Sequence, residues 1–557
     1  ISAFVMGIPE NKLTVIAPDV GGGFGSKIYH YGEEALVLAA AKKVGRPVKW
    51  VADRTESFLS DAHGRDHVTK IELACEKDGT FIAFRTETLA NVGAYLSNFS
   101  TVTPTFLHGT LMAGNYTVPH VYVNLKAVFT NTAPVDAYRG AGRPEATYSL
   151  ERVIDMAARE LGMDPVELRR KNFIKPDQFP FASAAGLEYD SGNYDALMDK
   201  MEAIVNRKAF EERRKASEAK GMLRGLGINA YVEACGIAPS NLVGVLGSRV
   251  GLYDAATVRV NATGNLSVMV GAHSHGQGHE TVFPQIVGEM LGIDPASVDI
   301  VHGDTSKIPF GMGTYGSRSL AVCGSAMVRA TEKIIAKAKK IAAHMLEASA
   351  DDVDFTDGQF TVKGTDKSVS FGEVALKAYI PHEFPIEDIE PGLEETAFYD
   401  PANFTYPSGA YACEVEVDPE TGKVTVERFT ACDDFGNVMN PMIVSGQVHG
   451  GVVQGIGQAL LENTTYDENG QLLSASYMDY VMPRADDLPF IAVDHADGTP
   501  CTHNPLGAKG CGEGGAIGSP PTVVNAVIDA LQSGGKNVTH IDMPLTPARV
   551  WAAMNNA

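Results

Sequence analysis

The chain has 557 residues, with 46 Lys and Arg against 68 Asp and Glu, for a formal net charge of −22. That balance argues against nucleic acid or an anionic membrane as the main partner, because both require basic surface. Hydrophobic residues make up 44% and charged residues 20%, a globular composition with room for more than one domain.

In chain order, Leu13–Pro18 reads as a buried strand, followed by a glycine loop over Gly21–Lys27. A helix is expected over Gly32–Val44 and a further strand over Pro47–Ala52. From His67 to Tyr95 the pattern is strand, Lys77-Asp78-Gly79 turn, strand. Tyr122–Thr130 reads as a strand entering the polar, Gly-rich stretch Asn131–Pro144, and Glu145–Leu161 has helical spacing that stops at Gly162. Lys175–Asp195, rich in Pro, Ser, Gly and Asp, marks a domain boundary. The charged helical stretch Tyr194–Lys220 reads as a solvated face. From Thr257 onward a unit of two strands, a Gly-rich loop and a helix recurs around Val258–Leu291, Val298–Met345 and Val424–Leu461. This mixture gives an α+β fold.

The seven cysteines, Cys75, Cys235, Cys323, Cys413, Cys432, Cys501 and Cys511, contain no C-x-x-C pair. Neither a disulfide framework nor a Cys-ligated zinc or iron–sulfur site is expected within the chain, and scattered thiols suit a reducing compartment. No apolar run has the length of a membrane span and no signal peptide is visible. The chain opens Ile1-Ser2-Ala3-Phe4 without Met, as a fragment would.

Four glycine-rich loops stand out: Gly21–Lys27, His275–Thr281, Gly311–Ser319 and Gly507–Gly515. Glycine lets backbone N–H groups approach a ligand closely, and helix N-termini favour anions. Several such loops fit one large, polar, anionic cofactor gripped from many sides, although each alone reads as a turn or helix cap. The standard phosphate motifs fit poorly. Ser26 separates Gly25 from Lys27, and Gly311, Gly313 and Gly316 have G-x-G-x-x-G spacing without a clear preceding strand. His273, His275 and His279 cluster without H-E-x-x-H spacing, so hydrogen bonding is expected of them rather than zinc. Glu513 sits among glycines, after Lys509. It reads as a general base of tuned pKa or as the N-terminal acid of a helix over Thr522–Leu531.

Six motifs in order carry a family resemblance: Gly21-Gly22-Gly23-Phe24-Gly25, Ala137-Tyr138-Arg139-Gly140-Ala141-Gly142-Arg143-Pro144, Gly276-Gln277-Gly278-His279-Glu280-Thr281, Thr314-Tyr315-Gly316-Ser317-Arg318-Ser319, Gly446-Gln447-Val448-His449-Gly450 and Gly507-Ala508-Lys509-Gly510-Cys511-Gly512-Glu513. They span nearly the whole chain, which resembles the large, molybdopterin-binding subunit of the molybdenum hydroxylase family. That group includes xanthine dehydrogenase, aldehyde oxidoreductase and aerobic carbon monoxide dehydrogenase. The resemblance implies an elongated subunit of two mixed α/β domains, 1–180 and 181–557, with the cofactor loops between them. It implies molybdenum on molybdopterin, as the cytosine dinucleotide, with no side chain ligating the metal. The backbones of Phe24, Arg139 and Gly316 are implied to face the metal's ligands, and Gln277 and Gln454 to hydrogen-bond the cofactor. Gly23, Gly25, Gly278, His279, Thr281, Ser317, Arg318, Ser319, Cys323, Lys509 and Gly510 are implied to line the pterin or its nucleotide. Glu513 matches the catalytic base in a reaction that inserts water-derived oxygen at an electron-poor carbon and passes two electrons onward.

Departures from the family pattern narrow the substrate. The carbon monoxide enzymes carry a copper-holding Cys directly after the Tyr-Arg of the active-site loop, where this chain has Gly140. Xanthine enzymes carry a Glu and an Arg at the positions of Ile28 and, aligned on Tyr116, Leu107. Leu107, Ile28, Tyr138 and Gly140 therefore describe an uncharged substrate pocket, better suited to an N-heterocycle or an aldehyde than to a purine. Family large subunits have a further N-terminal stretch ahead of the first glycine loop, so another chain or a cleaved part is expected to supply it. The [2Fe–2S] clusters and FAD are expected on partner chains, an iron–sulfur subunit and an FAD subunit, in a dimer of heterotrimers. A cytoplasmic location is expected, with any membrane association made through partners. The alternatives are a non-catalytic cofactor-binding paralogue and a ring-reducing relative acting on an acyl-CoA thioester.

Overall fold

The computed structural model describes residues 1–557 except positions 246, 385, 497 and 557. Helix α1 forms over Gly32–Val44, closed by Gly45 at φ 66. Strands β1 (His67–Cys75) and β2 (Phe81–Gly93) make the expected antiparallel hairpin. Its turn is set by Asp78, which accepts from the Thr80 N–H at 3.0 Å. Strand β3 (His120–Phe129) runs parallel to β2. Helix α2 (Arg143–Leu161) begins with Pro144 in its first turn and is stopped by Gly162 at φ 64. Its inner stripe of Ala146, Leu150, Ile154 and Ala158, four residues apart, joins Phe84, Met112 and Tyr116 in one core.

The strands expected over Leu13–Pro18 and Pro47–Ala52 do not form. Ile16 makes a single bridge to Asp304, and 47–52 is irregular. Val15, Ile16, Trp50 and Val51 are exposed, so these apolar runs have no core beneath them among the described residues. The stretch read as a solvated face becomes two helices, α3 (Tyr194–Val205) and α4 (Arg207–Glu218), broken at Asn206 with φ 49. In α3, Leu197, Met198 and Met201 are fully buried. The apolar stripe was hidden by the charges between its members.

The rest of the chain contains two four-stranded sheets, beside smaller ones that include a three-stranded sheet within Val353–Ser370. One has the order β8-β5-β6-β7, from Leu393–Tyr399, Asp254–Val260, Leu266–Val270 and Val298–Val301. The other has the order β11-β10-β9-β4, from Ile491–His495, Val424–Asp434, Ser408–Val417 and Leu223–Val232. Helices α5 (His279–Leu291) and α6 (Ser325–Leu346) follow glycine loops, whereas α7 (Pro441–Leu460) is capped by Asn440, whose side chain accepts from Ile443 N–H. Two strands, a loop and a helix follow one another in β5-β6-α5 and, counting β9 ahead of Val424, in β9-β10-α7; the segment leading to α6 has one strand.

Helix α8 spans Gly514–Ser533 and starts well before Thr522, with Pro520 and Pro521 inside it. It lies directly on β4. A Cβ at Gly225 would stand 2.0 Å from the Ala526 carbonyl oxygen, and one at Gly227 2.0 Å from that of Thr522. Only glycine permits such backbone contact. Helix α2 packs on α8 from the other direction, tied by Arg159–Asp529 at 3.5 Å and by Arg152 Nη1 donating to Asn525 Oδ1. The residue that opens α8 is thereby fixed between both parts of the chain. No helix among the described residues is long and apolar enough to cross a membrane.

Candidate active site

Glu513 occupies the N-cap position of α8, yet its side chain makes no capping bond. Its Oε1 accepts from the Gly140 N–H and from Arg143 Nη2, each at 2.9 Å. Its Oε2 accepts from the Ser317 hydroxyl at 2.7 Å. These donors come from segments far apart in sequence, so the side chain serves a long-range cluster and not its own helix. Burial pushes its pKa up, but Arg143, Ser317 and Gly140 outweigh burial and hold the carboxyl below its ordinary range.

Arg143, in the first turn of α2, is fully buried. It donates to the carbonyls of Gly140 and, at 2.7 Å, Ala234. The nitrogen that bonds Glu513 also lies 3.6 Å from Glu233 Oε1. Glu233 follows the end of β4, is fully buried, and has no hydrogen-bond partner for either oxygen among the described residues. Burial pushes its carboxyl up to about 8; Arg143 opposes this and Glu513 adds to it. One guanidinium thus faces two carboxyls, one ionised and one protonated at neutral pH. Sequence reasoning gave Arg143 no role and missed Glu233, whose only signal is a lone acid closing the apolar end of β4.

Arg139 joins the loops. Its backbone N–H donates to Phe24 O at 2.8 Å, Nε to Gly512 O at 2.6 Å, and Nη2 to Gln447 O at 3.0 Å. The carbonyls of Tyr138 and Arg139 each accept from Arg65 at 2.7 Å. The Arg65 guanidinium also lies over the Tyr138 ring, 4.7 Å from its centroid. Arg65 is a second residue that sequence reasoning missed. Phe24, Ala141 and Ser317 hold left-handed backbone at φ 49, 45 and 50, a state uncommon outside glycine and concentrated at functional sites. A Cβ at Gly25 would stand 2.2 Å from Ala137 O, and one at Gly510 2.6 Å from Ser317 Cβ. Phe24, Arg139, Gly140, Ser317, Gly510 and Glu513 therefore form one cluster, with Gly316 bonded through its carbonyl to Gly236 N–H at 2.9 Å.

The remaining expected residues take other positions. Gln277 folds back on His273 O at 3.3 Å and His275 Nδ1 at 3.1 Å. His273 and His275 pack edge to face with ring centroids 5.0 Å apart, past the end of β6 and not on a strand. Gly23 brings this loop to the first one, since a Cβ there would lie 3.3 Å from the His275 ring. His279 is buried and stacked on Phe283 with Nδ1 unpartnered among the described residues, while Thr281, near the start of α5 with Gly278 as its cap, is exposed. Gln454 lies on α7 beside Tyr138. Arg318 is fully buried against Asp254 at 2.9 Å, and Ser319 Oγ lies 2.7 Å from Thr314 Oγ1. Cys323 is buried in the core of the β5-β6 sheet, and Lys509 is buried against Asp434 at 3.1 Å. All four of these residues are buried. Of the pocket residues, Gly140 bonds Glu513, and Gly142 packs on the backbone of Leu107, whose carbonyl carbon a Cβ would approach to 3.1 Å. Ile28 stays within its own loop, donating its N–H to Gly25 O at 3.1 Å.

A large anionic cofactor fits this arrangement. A Cβ at Gly21, Gly276 or Gly313 would meet no heavy atom within 4 Å, so the first three glycine loops present bare backbone to open space. Molybdopterin demands donors of that kind and, by its own dithiolene, no ligand from the chain. The family described as molybdopterin cofactor-binding domain matches residues 1–173 and 200–489. The chain is also 41% identical to the carbon monoxide dehydrogenase large chain of Hydrogenophaga pseudoflava, across 100% of this chain and 69% of that one. The chain belongs to the molybdenum hydroxylase family, as a large subunit. This molybdenum hydroxylase subunit is an oxidoreductase of α+β fold. It is similar to the nicotine 6-hydroxylase large subunit of Paenarthrobacter nicotinovorans, 36% identical over 98% of this chain and 67% of that one. It is also similar to the solved quinoline 2-oxidoreductase from Pseudomonas putida 86, with a TM-score of 0.95 and 37% identity over 99% of this chain and 70% of that one.

Proposed function

We propose that this subunit hydroxylates an electron-poor carbon of an N-heterocycle or an aldehyde, with Glu513 as general base, and that it does not oxidise carbon monoxide. The observation that carries this reading is the backbone at Gly140. Its φ is +100, and a Cβ there would stand 2.4 Å from Pro144 Cγ. The chain has glycine where a copper-holding cysteine would stand, and this backbone disfavours a side chain there, despite the similarity to carbon monoxide dehydrogenase chains. The quinoline and nicotine enzymes among its relatives support a ring substrate.

When bound, the molybdenum cofactor, read here as the cytosine dinucleotide, supplies water-derived oxygen and accepts two electrons. The backbones of Phe24, Arg139 and Gly316 would hold it, with Gln454 and, once released from its bonds to His273 and His275, Gln277. Glu513 is ionised beforehand, is aimed by Gly140, Arg143 and Ser317, and takes up the proton released as oxygen is inserted. Iron–sulfur and FAD partner chains in a dimer of heterotrimers carry the electrons away, and the two domains of this subunit divide near residue 180.

The test is Glu513→Gln in the native complex, screened on quinoline-type rings, aldehydes and carbon monoxide. Turnover should fall by at least about 10²–10⁴-fold with molybdenum content unchanged. Unchanged turnover removes Glu513 from the reaction, and carbon monoxide oxidation by the wild-type complex refutes the reading of Gly140.

A further inference from the structure

The linker ahead of α3 meets the loop that leads into Gly507–Glu513 at three side chains that the reaction does not use. Asp190, Cys501 and His503 each offer one ligand atom, and these atoms all lie within 4.8 Å of one another. The Asp190 side chain is 6% exposed and that of His503 15%, while Cys501 is 4% exposed. Asp190 Oδ1 and His503 Nδ1 are buried without a hydrogen-bond partner among the described residues. Buried polar atoms left unpaired are destabilising. A Cys501 S–H bond to Asp190 leaves the imidazole nitrogen unsatisfied.

The surroundings orient all three groups. Asp190 Oδ2 accepts from the Thr502 N–H at 2.9 Å and from its hydroxyl at 3.3 Å. His503 Nε2 donates to Phe404 O at 2.9 Å. That bond leaves Nδ1 with the free lone pair, and it is the outer bond by which metal-ligating histidines are oriented. The backbone N–H groups of His503 and Asn504 are directed at Cys501 Sγ and favour its thiolate, although burial dominates and keeps the thiol protonated, up to about 11. A bound cation reverses that order, because a coordinating thiol is deprotonated outright.

We propose that Asp190, Cys501 and His503 form a zinc site that clamps the cofactor loop to the linker. One oxygen, one sulfur and one nitrogen ligand is a set that zinc accepts, with water as the fourth ligand. Tetrahedral bonds of about 2.0–2.3 Å place ligand atoms roughly 3.3–3.8 Å apart. The three groups already offer ligand atoms within 4.8 Å of one another, so closure onto a metal takes an inward shift of about 1 Å. Zinc binds with loss of the Cys501 proton to solvent, and no oxidation is involved. The clamp acts on the segment that ends in Glu513, which is also held by Lys509 Nζ at 3.4 Å from Ser191 O.

The test strips the native complex of zinc with a chelator and titrates it with zinc alone. It is read by metal analysis, zinc-edge X-ray absorption and thermal unfolding. About one tight zinc per chain is expected, with one sulfur near 2.3 Å and lighter ligands near 2.0 Å, and a higher Tm in zinc. Cys501→Ser should remove the sulfur scatterer, and His503→Ala should weaken zinc binding by at least about 100-fold. Should either variant fail to assemble, the wild-type spectrum decides alone. No stoichiometric zinc, zinc without a sulfur ligand, or a sulfur ligand that persists in Cys501→Ser overturns the proposal. These outcomes are independent of the substrate reading.

Discussion

Replacing Glu233 by Gln isolates the buried proton beside Glu513. Glu233 titrates near 4.5 in the unfolded chain and at about 8 when folded. At 1.36 kcal/mol per pH unit, that span corresponds to about 5 kcal/mol. Between those two values the folded chain holds a proton that the unfolded chain has lost. Wild-type stability therefore falls as pH rises through this window and levels off above it. Gln cannot ionise and carries no such loss. The groups facing Glu233, namely Arg143, Glu513, Cys235 and Arg139, are common to both proteins and largely cancel in the difference. An unfolding entropy of about 2.1 cal/mol/K per residue gives roughly 1.2 kcal/mol/K for 557 residues. The Tm advantage of Glu233→Gln should thus grow by about 4 °C between pH 5 and pH 9, measured by calorimetry on the native complex. A difference that does not change with pH shows that Glu233 is ionised throughout and refutes the assignment of one proton to this pair.

Other perturbations separate the parts of the site. Arg143→Lys abandons the fork to Gly140 O, Ala234 O and Glu513; denaturant titration should show a loss of about 3–5 kcal/mol. Ser317→Ala removes the donor to Glu513 Oε2; its carboxyl rises toward the ordinary value, and the acid limb of kcat/KM should move to higher pH. A limb that does not move means that Glu513 is not the titrating base. Gly140→Cys forces a Cβ to 2.4 Å from Pro144 Cγ; a loss of about 1–3 kcal/mol is expected, with no copper-dependent carbon monoxide oxidation. Gly227→Ala drives α8 from β4, where a Cβ has 2.0 Å to Thr522 O; a loss of similar size, about 1–3 kcal/mol, should come with slower turnover because Glu513 moves with the helix.

What was legible in the sequence follows the range of the signal. The β1–β2 hairpin and helices α1 and α2 were readable because their turns, caps and stripes are local: Asp78-Gly79, Gly45, Pro144 and Gly162. Motif order drew attention to the glycine loops and to Glu513, since glycine spacing is also local, and the structure brings Gly140, Ser317 and Glu513 together. The strands assigned to Leu13–Pro18 and Pro47–Ala52 failed because an apolar run says nothing about whether a partner covers it; Ile16 and Val51 face solvent. The α3 stripe failed for the opposite reason, its charges standing between Leu197, Met198 and Met201. Arg65 and Glu233 were illegible because their roles exist only through contacts with residues 138, 139 and 143, at a distance that no spacing rule spans.

The charge pattern gives Glu233 a part in the proposed reaction. Glu513 stands at the N-terminal end of α8 and is held ionised by Arg143, Ser317 and the Gly140 N–H. That helix end is held rigidly, since a Cβ at Gly514 would lie 2.2 Å from the Tyr231 hydroxyl and one at Gly515 2.6 Å from Val452 N. Arg143 can give its charge to Glu513 only because Glu233, 3.6 Å away, remains protonated. Once Glu513 accepts a proton, the guanidinium faces no other carboxylate, and the same attraction then favours ionisation of Glu233. The two carboxyls are thereby coupled through one nitrogen of Arg143, so that a proton gained at Glu513 weakens the hold on the proton of Glu233. Glu233→Gln breaks this coupling while leaving every hydrogen bond to Glu513 in place. In that variant the acid limb of kcat/KM should stay where it is in the wild type, whereas kcat should lose the part of its pH dependence that lies near 8. If kcat keeps that dependence, the proton of Glu233 has no part in turnover.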